Sequence, residues 1–274
     1  MNKPVFLVDL DDTLFQTQRK MRDELGQTPF KCGAIDRSLK PRSFMNEEQS
    51  MLVDWLLANA DTIPVTARGT EEIGRVSIPF DSWAITTHGA VILTPEGTPD
   101  PIWQDHILTA LAPYRRRLIA LQEGITALFE ERNIAVWARI NEEYDGQPVY
   151  LVMKHTDSTR LDELYAMGDL IEKTFGTDGF YLHRNGNNIA WLPTCIEKGT
   201  ATLHLLERLK QERGCFPVLG LGDSISDHRF LQHCTWFGMP NNSQMAKHLE
   251  QALDNALPGI HSADSHTHEP GSAL

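Results

Sequence analysis

Near the start of the chain, four apolar residues, Val5-Phe6-Leu7-Val8, run directly into Asp9-Leu10-Asp11-Asp12-Thr13. A strand this short and this uniformly apolar is buried on both faces, as strands inside a parallel sheet are. In open sheets of that kind ligands bind beyond the carboxyl ends of the strands, and the acids sit at that end. Residues two apart on a strand point to the same side, so Asp9 and Asp11 can face one site. The arrangement returns late in the chain. Val218-Leu219-Gly220-Leu221 leads into Gly222-Asp223, with Asp227 four residues further on.

Acids gathered at strand ends repel one another. A hard cation such as Mg²⁺, which takes oxygen ligands, relieves the repulsion. A carboxylate held there is able to attack phosphorus and form an aspartyl phosphate. A second carboxyl protonates the leaving oxygen and then activates water. Each motif also has a plainer reading. Asp9 to Thr13 reads as an acid-rich turn, and Gly222-Asp223 as a turn with Ser226 capping the next helix. Gly220-Leu221-Gly222 lacks the third glycine of a dinucleotide loop. Thr66 ends the strand Ile63-Pro64-Val65-Thr66, where its hydroxyl and amide suit a phosphoryl oxygen. Lys198 precedes a helix and offers a balancing charge. Taken singly, these two are a turn hydroxyl and a solvated lysine.

Elsewhere the pattern alternates strands and helices. Asn46 caps a helix with Glu47 and Glu48 in its first turn and a stripe of Met51, Leu52, Trp55 and Leu56. Strands follow at Ile63 to Thr66, Trp83 to Thr87 and Ala90 to Leu93. After the turn-rich Pro95 to Pro101 the order becomes helix, strand, strand, helix, strand, strand, an α+β unit with its own antiparallel sheet. Ser158 is expected to cap the second of these helices, and Asn185-Gly186-Asn187 to turn a hairpin. From Lys198 the first texture returns. The expected division is residues 1–96 and 191–257 for the α/β core, 97–190 for the inserted unit and 258–274 for a tail without structure. Residues 14–45 are charged and interrupted by Pro29 and Pro41, and read as an irregular excursion with one short helix. The six tryptophans are assigned to packing.

Taken in order, strand-DxD-T, strand-Thr, Lys-Gly-helix and strand-GD-three residues-Asp resemble the haloacid dehalogenase-like hydrolase superfamily. Val65-Thr66-Ala67-Arg68 is similar to the Thr-Gly-Arg segment of its Cof-type members. Ile85 to Ala90 resembles their Asn-Gly-Ala segment, and Phe237 to Asn241 their late Met-Gly-Asn stretch. The αββαββ insertion resembles the type II cap of the sucrose-phosphatase-like members. The resemblance implies a Rossmann-like core with a parallel sheet, an inserted α+β cap, and hydrolysis of a small phosphorylated metabolite, a sugar phosphate by cap type. It makes Asp9 the nucleophile and a metal ligand. Asp11 becomes the general acid/base, with its backbone carbonyl on the metal. Thr66, Ala67, Arg68 and Lys198 bind the phosphoryl group, Asp223 ligates Mg²⁺, and Asp227 supports the metal or Lys198. His88 stands where Asn is usual, and Ser226 where Asn is frequent. A phosphomutase uses the same machinery, and a non-catalytic phospholigand-binding protein uses the same fold.

The remaining composition narrows the partners. A net charge of −12 argues against nucleic acid, which needs a positive surface. Four scattered cysteines form no CxxC pair. No apolar run reaches the length of a signal or membrane-spanning segment, so a cytoplasmic protein is expected. Arg115-Arg116-Arg117 cannot share a helical face and read as solvated. Arg139, Lys154, His183 and Arg184 fall on cap strands or their turns. One or two of them are candidates for substrate recognition, although each alone reads as a surface charge.

Overall fold

The computed structural model describes residues 3–132, 135–184 and 186–256. The chain opens with β1 (Val5–Val8), β2 (Gln16–Thr17), β3 (Lys31–Ile35), β4 (Pro41–Met45), α1 (Glu47–Asn59), β5 (Asp61–Pro64), α2 (Thr70–Ile73), β6 (Ala84–Thr86) and β7 (Val91–Leu93). The insertion follows as α3 (Pro101–Leu111), α4 (Arg115–Arg132), β8 (Val136–Glu143), β9 (Gln147–His155), α5 (Leu161–Phe175), β10 (Phe180–Arg184) and β11 (Ile189–Pro193). The chain then returns through α6 (Lys198–Arg213), β12 (Val218–Leu221), α7 (His228–Leu231), β13 (Trp236–Gly238) and α8 (Gln244–Ala256).

The two acid motifs are neighbours because their strands are. The core sheet is parallel, in the order β13-β12-β1-β5, with Val8 opposite Leu221 and Pro64. Val5, Leu7 and Val8 are fully buried, as their uninterrupted apolar run requires. The Asp9 amide donates to the Leu221 carbonyl at 3.0 Å, which fixes the end of β1 against the end of β12. The hairpin β6–β7 adjoins through a bridge between Val65 and Ile85.

The second sheet is antiparallel, in the order β10-β11-β9-β8. On one face Leu151, Met153, Ile189 and Trp191 pack with Leu118 and Ile125 of α4 and Leu164 and Ile171 of α5. On the other, Tyr150, Val152, Ala190 and Leu192 belong to the apolar cluster that includes β1, β5 and α6. The fold class is therefore the expected one, an α/β core with an inserted α+β cap. The predicted hairpin residue Asn185, the start of the predicted strand at Ile134, and the tail 258–274 lie outside the described residues.

Four local expectations change. Residues 14–45 contain a three-stranded sheet, β2-β4-β3, rather than an irregular excursion, with a π-helical turn over Lys20–Glu24. Its two-residue periodicity is hidden by irregular register around Gly33, where the backbone lies against the Phe15 ring. The Asp36 carboxylate then closes the β3–β4 turn by accepting from the amides of Ser38 (2.8 Å) and Lys40 (3.0 Å). Helix α1 does start at a capping box, with Asn46 and Gln49 exchanging side-chain-to-amide bonds of 2.8 and 3.0 Å. Its inward face, however, is Ser50, Val53 and Leu56, leaving Met51 and Trp55 exposed. Trp137 and Trp236 are likewise exposed, so packing accounts for Trp83, Trp103 and Trp191 only. Helix α5 begins after Arg160, not at Ser158.

Gly199 sits in the first turn of α6, where a Cβ would run into the Arg229 carbonyl oxygen. This contact lets α6 approach the chain after β12 closely. Gly199→Ala is expected to cost about 1–3 kcal/mol, as overpacking does, and urea unfolding measures it. An unshifted midpoint would show that the approach is not constrained.

Candidate active site

Lys198, the first residue of α6, is the hub. Its backbone is set by Glu197, whose carboxylate caps the helix by accepting from the Thr200 amide at 3.1 Å. The Lys198 ammonium donates to Asp9 Oδ1 at 2.8 Å and Asp227 Oδ1 at 2.7 Å, and all three side chains are buried. Asp227 Oδ2 accepts from the Asp223 amide (3.2 Å), the Ser224 amide (3.0 Å) and the Ser224 hydroxyl (2.8 Å). Ser224, rather than Ser226, therefore caps the turn after β12. Asp223 in turn accepts a 3.4 Å bond from Thr13.

Carboxylate oxygens of Asp9, Asp223 and Asp227 lie within 4.8 Å of one another. Three carboxylates thus face one ammonium, and the titration of each follows from this shortage. Burial works against Asp227, but Lys198 and the Ser224 donors outweigh it and hold its pKa below the usual carboxylate range. Burial pushes Asp9 well above that range; Lys198 opposes this, and Asp227 and Asp223 reinforce it. Burial, then Asp227 and Asp12, raise Asp223 to about 7. An all-oxygen donor set short of positive charge fits a hard divalent cation. Both Asp227 oxygens are already engaged, so Asp9 and Asp223 are the better-placed ligands.

Asp11 behaves differently. Its carboxylate lies outside that group, gripped by Arg68 through Nε at 2.6 Å and Nη2 at 2.8 Å. Asp12 adopts a left-handed conformation, φ 67°, and its amide donates to the Phe15 carbonyl, turning the chain just after Asp11. Asp12 also pairs with Lys20 at 2.8 Å, which ties the excursion to the site.

The loops after β5 and β6 form the next wall. Thr66 is buried; its amide donates to Ile85 and its hydroxyl accepts from the Arg68 amide at 3.1 Å. Thr87 and His88 both have positive φ, 53° and 57°, a costly conformation for a β-branched residue. It is held by amide bonds from Thr87 to the Arg68 carbonyl and from His88 to the Thr66 carbonyl. Glu143 of the cap closes the set, accepting from the Thr87 hydroxyl at 2.6 Å and the Thr70 amide at 3.0 Å.

A cavity of about 660 Å³ lies between core and cap, lined by Asp9, Asp11, Thr66, Ala67, Lys198 and Asp223, and on the cap side by Tyr181 and His183. The His88 ring meets Tyr150 and His183 edge-on, each at 5.4 Å. Burial lowers the pKa of both histidines, and the nearby Lys198 lowers them further. The residues named from sequence thus share one cleft, with Asp227 beneath it and Arg68 at its edge. Sequence reading missed Ser224 and Glu143. Ser224 was detectable as the polar residue three before Asp227, the spacing of a cap. Glu143 was not, because its partners are 56 and 73 positions away.

No family model and no curated protein matches this chain. Solved structures do. A Thermoplasma acidophilum protein is 11% identical with a TM-score of 0.53, covering 91% of this chain and 90% of its own. The C-terminal domain of C. albicans trehalose-6-phosphate phosphatase is 13% identical with a TM-score of 0.52, covering 84% and 72%. The sucrose-phosphatase of Synechocystis, solved with sucrose and phosphate, is 17% identical with a TM-score of 0.47, covering 93% and 98%. At such identities the likeness is one of fold alone.

Lys198→Met leaves two buried carboxylates uncompensated, a loss of about 3–5 kcal/mol for pairs of this kind. Protonating an acid whose native pKa is raised relieves such a cost, so the deficit should shrink as pH falls from about 8 to about 5. Denaturant titrations at both pH values measure it. A deficit that is equal or larger at the lower pH would contradict the pairing.

Proposed function

We propose that the chain is a Mg²⁺-dependent phosphomonoester hydrolase acting on a small phosphorylated metabolite, with Asp9 as the phosphoryl acceptor. One observation carries the reading. A buried carboxylate stands at the end of the central strand β1, on the floor of a cleft, held by a buried lysine and flanked by two further carboxylates.

In this reading Asp9 attacks phosphorus and the ester P–O bond breaks. Asp11 gives its proton to the departing oxygen. Asp11 then removes a proton from water as it attacks the phosphoryl group, releasing inorganic phosphate and restoring Asp9. Lys198 and the Thr66, Ala67 and Arg68 loop hold the phosphoryl oxygens. Arg68 also orients Asp11 until the leaving group arrives. Asp9 and Asp223, with the Asp11 backbone carbonyl and with Asp227 in support, would hold Mg²⁺, which would supply positive charge against the phosphoryl group. The inserted unit, residues 97–190 by the sequence division, presents the rest of the substrate. A sugar phosphate is the favoured class; the trehalose-6-phosphate phosphatase of similar fold supports it. Among the described residues no helix is long and apolar enough to cross a membrane.

Asp9→Asn is expected to lower turnover by roughly 10³-fold or more while leaving the chain folded. A screen of phosphorylated metabolites, run with Mg²⁺ and with chelator, checks this; full activity of the variant would defeat the mechanism. Isomerised product instead of free phosphate would indicate a mutase. Because Asp223 must ionise to bind a cation, and its pKa is raised to about 7, Mg²⁺ should stabilise the protein more at about pH 8 than at about pH 5.5. Thermal shift with and without MgCl₂ reads this out, and an equal or reversed effect would count against the site.

A further inference from the structure

The turn that joins β8 to β9 fastens the cap to the loops of the core. Glu143 pairs with Gln147, and the residues between them, Tyr144, Asp145 and Gly146, are all left-handed, with φ of 50°, 57° and 90°. Two side chains at this turn bond across to the core. The Tyr144 hydroxyl donates to the Ala90 carbonyl at 2.8 Å. A single oxygen of Glu143, Oε1, accepts twice, from the Thr87 hydroxyl at 2.6 Å and from the Thr70 amide at 3.0 Å. Gly69 leaves room for this approach, since a Cβ there would stand 3.0 Å from the same oxygen.

The two donors to Glu143 bracket Arg68. Thr87 holds the Arg68 carbonyl through its own amide at 2.7 Å, and Thr70, the first residue of α2, follows Arg68 by two residues. On its other side the Arg68 amide donates to the Thr66 hydroxyl at 3.1 Å. The left-handed backbone of Thr87, φ 53°, is costly for a β-branched residue. A charge-assisted bond to a carboxylate offsets that cost. The guanidinium of Arg68 lies over the Phe15 ring, 5.0 Å from its centroid, and holds Asp11 through two bonds. A line of contacts therefore runs from the cap to the acid of the site, through Glu143, Thr87, Arg68 and Asp11. Tyr144 fastens the same turn to Ala90, outside that line.

We propose that Glu143 is a positioning residue for the Arg68–Asp11 pair, so that the docked cap sets the acid that serves the leaving group. Glu143 touches no reacting atom on this assignment. It fixes the backbone from which Arg68 reaches Asp11. A misplacement of about 1 Å in a reacting group can cost about 100-fold in rate, so a bond this far from the chemistry has a kinetic consequence. The assignment rests on the phosphohydrolase reading above, in which Asp11 protonates the departing oxygen.

The test compares phenyl phosphate with p-nitrophenyl phosphate. Phenolate is the poorer leaving group and depends more on a proton from Asp11. The ratio of the two kcat/KM values does not change when part of the enzyme is merely unfolded. In Glu143→Ala kcat/KM should fall for both esters, and about five-fold further for phenyl phosphate. Glu143→Gln keeps an oxygen acceptor in place and should hold the ratio within about two-fold of the unsubstituted protein. Tyr144→Phe, which releases the other cap contact, should leave the ratio unchanged. Thr87→Val removes only the hydroxyl donor and should shift the ratio as Glu143→Ala does, which keeps the test open if Glu143→Ala does not fold. An unchanged ratio on removing either partner, a shift of equal size in Tyr144→Phe, or no recovery in Glu143→Gln overturns the assignment. If the unsubstituted protein hydrolyses neither ester, the hydrolase reading loses its support, and amide hydrogen exchange decides on Glu143 separately. Exchange over residues 66–70 and 87–88 should then quicken by about ten-fold in Glu143→Ala and not in Glu143→Gln. Equal exchange in both overturns the positioning role as well.

Discussion

One buried ammonium between two carboxylates organises this protein. Lys198 reaches Asp9 from one strand end and Asp227 from the loop after another, and these strands are hydrogen-bonded neighbours. The contact requires α6 to begin at this point, which Glu197 arranges by capping it and Gly199 by allowing close approach to Arg229. It requires Asp227 to be fixed, which the three donors on its other oxygen accomplish. A single positive charge does not balance the three acids that meet there. The fold therefore carries a local charge deficit, and the deficit makes the place fit for a cation and a phosphoryl group.

The acids themselves sit in different surroundings. Asp9 and Asp11 are two residues apart and were expected to face one site. They do line one cleft, but the Asp11 carboxylate is held by Arg68 and the Asp9 carboxylate by Lys198. A buried acid with a lysine suits attack on phosphorus. A more exposed acid at the opening suits proton transfer to and from the leaving group. Thr87 and His88, strained but pinned by Arg68, Thr66 and Glu143, carry the core wall up to the cap.

What the sequence disclosed was local and repetitive. Val5 to Val8 and Val218 to Leu221 read as buried strands because nothing polar interrupts them, and the acids that follow stand out for the same reason. The αββαββ order of the insertion was visible in alternation and turn residues. The sheet in residues 14–45 was not, because the irregular register at Gly33 breaks the alternation and the strand β2 is two residues long. The α1 stripe misled, since Met51 and Trp55 satisfy helical spacing yet face outward. Contacts made across the fold left no trace in spacing. Glu143 on Thr87 depends on how the cap meets the core, which no local pattern encodes.

The decisive question is whether a phosphoryl group passes through Asp9. Rapid acid quench of Asp11→Asn with a turned-over phosphoester, followed by peptide mass spectrometry, addresses it directly, because loss of the base slows breakdown of an acyl phosphate. A phosphoryl mass gain on the peptide containing Asp9, absent when Asp9 is also changed to Asn, is the expected result. Phosphate release with the label on another residue, or undiminished release with no label anywhere, would contradict the role assigned to Asp9.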